Sequence, residues 1–300
     1  AVDRANGPDC GDDGGSAAGA GGEGVSEAVV IALALLGLLV GGAVWVVARN
    51  QAMRRPLFSG PYCDGPLSIN ISPATAKTAQ VADSEAASGG DSSKGKGCSA
   101  RLPAIGWLPL YGFGFAWMCP TCGRRQSLWR VAFEVLYAVY FAVAAWRIDD
   151  WLSLVSVLVF SIPLSIILLV DAWTRLIYTT VIYSGILAGF AFALAEGIGE
   201  FLRSVGGMVA AAAIFGGFYI LALAIYRNVR VIPFGRGDIY LAAMIGAMVR
   251  IQILLGALFY GIALAGIAAL LILATRRAGR RQAMPYGPFL SLGALIALVL

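Results

Sequence analysis

The chain has 300 residues, of which 59% are hydrophobic and only 13% charged, with a mean hydropathy of +0.79. That is more apolar side chain than the core of a soluble domain of this length needs, so the composition points to a polytopic membrane protein. A net charge of +5 with no long basic stripe gives no ground for a nucleic-acid partner, and the absence of histidine excludes Ser-His-Asp triads, Cys-His nucleophiles and histidine-ligated zinc or haem.

Residues 1 to about 26 are Gly, Ala, Ser and Asp with few apolar side chains, and read as a disordered tail. The uncharged run Ala28 to Ala48 predicts a first transmembrane helix at about 27–48, long enough to cross ~30 Å of hydrocarbon, with Arg49, Arg54 and Arg55 directly after it. Residues 49–129 read as a loop, with a Ser/Ala/Gly/Lys-rich flexible insertion at about 72–100 and a cysteine-bearing module from Leu102 to Arg125. The remainder, 130–300, is a seven-helix membrane core. Its apolar runs lie at about 131–146, 151–170, 177–195, 205–226, 239–249, 252–274 and 286–300, the last being short for a full crossing. The expected fold is all-α, a polytopic membrane protein with about eight transmembrane helices and a loop module after the first.

Basic residues test this segmentation, because they gather on cytoplasmic connections. With the N-terminus outside, Arg4, Arg147, Arg203 and Arg250 fall on the outer side, and the remaining basic residues lie on or near cytoplasmic connections. The same topology puts Asp171, at the end of the third span, and Asp238, at the start of the sixth, on one membrane face. Both carboxylates are then expected on the cytoplasmic side.

Those two aspartates are the informative pair. Ionisable groups at the edge of the hydrocarbon are costly and mark functional sites. Two carboxylates brought within a few Å cannot easily both ionise, so one keeps a proton and the pair offers an acid and a base together. Asp238 closes the motif Gly235-Arg236-Gly237-Asp238, whose glycines permit unusual backbone angles and the close approach of a second backbone. Taken alone, a Gly-rich turn ending in Asp is also an ordinary helix cap.

The stretch Leu169-Val170-Asp171-Ala172-Trp173-Thr174-Arg175-Leu176-Ile177-Tyr178, the GRGD motif and Pro285-Tyr286-Gly287-Pro288-Phe289-Leu290 occur in that order. Together they resemble the bacterial type IV prepilin peptidases, the GxGD membrane aspartic protease family, over about residues 28–300. The resemblance implies a membrane aspartic endopeptidase that removes leader peptides from prepilin-like or pseudopilin substrates, cutting after a glycine just before the apolar helix. It implies that Asp171 and Asp238 are catalytic, that Gly235, Arg236 and Gly237 shape the site, and that Glu134 matches a family Glu at the start of the second span. Where many family members have Pro-Asp after the Ile of the first motif, this chain has Tyr178 and Thr179.

Proteolysis of this kind needs no cofactor. Many members also N-methylate the new N-terminus with S-adenosylmethionine, but no glycine-rich methyltransferase fingerprint is readable here. Cys119-Pro120-Thr121-Cys122 is a C-x-x-C knuckle that supplies two thiolates for a tetrahedral zinc. Cys63 stands where the family often places a second C-x-x-C, with Gly60 at the partner position, and Cys98 is within reach as a fourth ligand. A structural zinc and a reduced, metal-free loop both remain open. Two readings compete with the peptidase: a proton-coupled membrane transporter relaying through the aspartates, and a non-catalytic pilus assembly factor.

Overall fold

The computed structural model describes residues 26–56, 62, 127–225, 235–274 and 285–300. These form seven helices: α1 Glu27–Ala52, α2 Leu128–Arg147, α3 Trp151–Thr174, α4 Thr179–Glu196, α5 Ile198–Ile225, α6 Arg236–Ala274 and α7 Gly287–Val299. Six are long and apolar enough to cross a membrane, and α7 is shorter, with 13 residues. The tail, the insertion and the cysteine module predicted from sequence lie outside the described residues.

Eight spans are predicted, and the seven helical elements among the described residues include one, α6, in which two helices meet at a kink. The two apolar runs at about 239–249 and 252–274 fall within α6, which has no intervening loop. It is interrupted at one residue, Arg250, whose backbone (φ 59, ψ 172) is not helical. The two runs are two helices joined directly at this kink. The two halves have different neighbours. A Cβ on Gly185 or Gly189 of α4 would meet Met244 or Ala247, and one on Gly207 of α5 would meet Gly246, whereas Gly261 lies against Leu290 of α7. Without the break, Gly261 would stand ~34 Å along the axis from Asp238.

The φ of Arg250 lies in a region that essentially only glycine occupies. Its guanidinium is held by Glu196 Oε2 at 2.6 Å and Glu200 Oε2 at 2.8 Å, and Glu200 also pairs with Arg203. This cluster ties the break in α6 to the α4–α5 turn. At the α2–α3 turn, Asp150 Oδ2 accepts the Ser153 amide at 2.7 Å and caps α3, a bond that holds the Asp150 carboxyl below the usual carboxylate range.

α3 is the most enclosed of the long helices and packs on α1, α2, α4 and α7. α5 packs mainly on α6 and leaves Val209, Ile220, Leu221 and Ile225 exposed, an apolar surface suited to lipid. Lipid gives no hydrophobic drive for one helix to pack on another, so close contact between small residues holds the bundle. The tightest such contact is Gly207 on Gly246. A Cβ at Gly207 would strike the Gly246 carbonyl and come within 2.9 Å of Arg250 C and Ile251 N. Gly207→Ala is therefore expected to cost ~1–3 kcal/mol, read as a lowered unfolding temperature in detergent. Gly217→Ala, with nothing within 4 Å, is the matched control.

Candidate active site

Three helix ends meet at one place. α3 stops because Arg175 adopts the left-handed conformation (φ 56, ψ 28), and its N–H closes back on the Asp171 carbonyl at 2.9 Å. Thr174 Oγ1 donates to the Val170 carbonyl at 2.9 Å and accepts the Leu176 amide at 3.3 Å, which fixes the start of the following turn. Asp171 thus stands one turn before the end of α3, 5% exposed.

Asp238 stands in the first turn of α6. Its Oδ2 accepts the Gly235 amide at 3.3 Å while its own N–H donates to the Gly235 carbonyl at 3.2 Å. This is the acidic half of a capping box, reaching back to the residue that precedes the helix. The capping and functional readings of GRGD are therefore compatible, since one carboxylate both starts the helix and faces the site. Gly237 brings the start of α6 close to the α3–α4 turn: a Cβ there would lie 3.1 Å from Ile177 Cδ1.

The third end is the N-terminus of α7. Gly287 directs its backbone N–H at the Asp171 carboxylate, and a Cβ at that position would stand 3.0 Å from Asp171 Cγ. A helix N-terminus carries partial positive charge and orphan amides, so it is a natural anchor for a carboxylate. Asp171 is also close enough to Asp238 and to Arg175 for electrostatic interaction.

Asp171, Asp238, Gly235 and Gly237 are thus brought together. Arg236 is not part of the group: it is exposed, and its Nε donates to the Tyr219 hydroxyl of α5 at 3.4 Å. Glu134 is fully buried in α2, where Arg130 Nε donates to its Oε1 at 2.8 Å, beside Gly41 of α1. Losing Glu134 takes a buried ion-pair partner from Arg130. Glu134→Ala is therefore expected to destabilise by ~3 kcal/mol, measured by thermal unfolding. Cys63, Cys98, Cys119 and Cys122 lie outside the described residues.

Sequence reasoning did not find the Gly287 contact. The signal was present in Pro285-Tyr286-Gly287-Pro288, since proline at the first helical positions marks an N-terminus and such ends bind anions. Ile177 and Tyr178 were visible as members of the Asp171 motif, with no contact assigned to either.

A bundle of membrane-length helices with two carboxylates at converging helix ends defines a polytopic membrane protein with a pair of aspartates where those ends meet. The chain belongs to the type IV leader peptidase family, whose model matches residues 158–270, a stretch that contains both aspartates. It is 31% identical over 206 residues to the prepilin leader peptidase/N-methyltransferase of Bacillus subtilis (strain 168), covering 67% of this chain and 78% of that protein. It is 33% identical over 185 residues to the protein of the same name from Myxococcus xanthus (strain DK1622), covering 60% and 52% respectively. No solved structure matches. Membership of this family favours neither a transporter nor a non-catalytic assembly factor.

Proposed function

We infer that the protein removes leader peptides from type IV prepilin-like substrates, using Asp171 and Asp238 as a catalytic pair that shares one proton. The carrying observation is the convergence of the helix ends that bear the two carboxylates: Gly287 of α7 lies against Asp171, and Gly237, beside Asp238, lies against Ile177 of the turn that follows Asp171. The ionised carboxylate draws a proton from a water as it attacks the scissile carbonyl. The protonated one hydrogen-bonds the developing oxyanion and then supplies a proton to the leaving nitrogen. The titration belongs to the pair, not to either residue. The clustering of basic residues on alternate connections supports a site at the cytoplasmic face of the inner membrane, with the N-terminus outside.

The test is to incubate the purified protein with a prepilin bearing a short basic leader and read the product by intact mass. Leader loss is expected, and an unchanged substrate mass overturns the reading. The same measurement with and without S-adenosylmethionine reads methyl transfer to the new N-terminus, the second activity in both relatives' names. For the cysteine loop, Cys63, Cys98, Cys119 and Cys122 form the thiolate set for a structural zinc. Metal analysis is expected to give about one equivalent per chain, and metal-free protein would end that assignment.

A further inference from the structure

The turn that follows Asp171 is held from two sides. On one side Ile177 lies against Gly237, the neighbour of Asp238. On the other, Tyr178 donates its hydroxyl to the main-chain carbonyl of Gln51, in the last turn of α1, at 2.6 Å. The same carbonyl accepts the Arg54 amide at 2.9 Å, where Arg54 (φ 54) turns the chain out of α1. The Tyr178 hydroxyl is therefore built into the cap of α1. Trp173, at the other end of the turn, meets Trp45 of α1 edge-on with ring centroids 5.0 Å apart. Arg49, Asn50 and Gln51 are all buried, so the end of α1 is a packed surface against which the turn can be fixed.

We propose that Tyr178 is a positioning residue for leader cleavage: its hydroxyl, bound to the Gln51 carbonyl, fixes the Arg175–Tyr178 turn so that Ile177 rests on Gly237 and Asp171 faces Asp238. This rests on the reading of the two aspartates as the catalytic pair. It makes α1 part of the working site, although the family match begins only at residue 158. The Thr174 hydroxyl fixes the start of this four-residue turn and the Tyr178 hydroxyl its end, so slack at the end reaches the backbone of the GRGD motif through Ile177. Because the bond goes to a main-chain atom of α1, it reports the position of that helix end whatever side chain stands at position 51.

Tyr178→Phe removes the hydroxyl and keeps the ring. In the cleavage assay kcat is expected to fall about five- to tenfold, the rate equivalent of one net hydrogen bond, with KM within about twofold. In parallel, hydrogen exchange at the amides of residues 176–181 is expected to quicken in Tyr178→Phe and to stay unchanged in the α4–α5 turn. Wild-type kcat, a loss carried by KM, or unchanged exchange would each overturn the proposal. If the wild-type chain itself leaves the leader in place, the catalytic reading falls and this role falls with it. Exchange at residues 176–181 distinguishes that result from failure of the clamp alone.

Discussion

Asp171→Asn and Asp238→Asn are each expected to reduce leader removal by ~10³-fold or more, within the range that loss of a positioned acid/base group produces. The substitution is nearly isosteric. In both positions the described backbone partner is a donor, Gly287 N–H at Asp171 and Gly235 N–H at Asp238, and an amide oxygen can still accept from it. The variants should therefore fold, and thermal unfolding should show them close to wild type. What each loses is the ability to take up or release a proton. Because the two carboxylates act as one unit, the double variant is expected to be no slower than the worse single one. Single-turnover cleavage followed by intact mass measures this. Wild-type processing by either variant would move the chemistry away from the pair.

Much of this site could be read from sequence because its parts are local signals. Asp171 stands out as a charge ending an apolar run, and Asp238 as the close of a Gly-rich turn before another. What could not be read was where each helix end points. α3 continues to Thr174, past the last apolar residue of its run, because the left-handed Arg175 and the Thr174 hydroxyl bonds decide where it stops. Arg250 looked like a boundary between two spans. It is the kink at which two helices join, held by Glu196 and Glu200 from a different hairpin, and one sequence offers no way to pair them. Glu134 stood out only as a match to a family Glu at the start of the second span. Its neighbour Arg130 is one helical turn away, a spacing that was available in the sequence, but its complete burial depends on α1. In each case the local pattern named the residue, and only long-range packing named its partner.

Gly287→Ala is expected to cut cleavage by ~10²-fold, the scale on which a displacement of about 1 Å at a reacting group acts. A Cβ at this position would strike Asp171 Oδ2 and stand 3.0 Å from Cγ and 3.4 Å from Cβ. Either α7 or the carboxylate has to move. α7 is restrained: a Cβ on Gly293 would meet the Gly261 Cα and the Ala257 carbonyl, and Leu290 lies against Gly261 from the other direction. The Tyr140 hydroxyl also donates to the Leu295 carbonyl at 3.2 Å. The Asp171 side chain is freer to rotate, and it carries the chemistry. Alanine is a better helix former than glycine, so the substitution should not weaken α7 through propensity. Activity and stability are therefore expected to separate, with the unfolding temperature held and the rate lost. Gly266→Ala makes the same chemical change where nothing lies within 4 Å, and should cleave at the wild-type rate. A Gly287→Ala protein that also cleaves at that rate would show that the α7 amide is not part of the geometry in which Asp171 works.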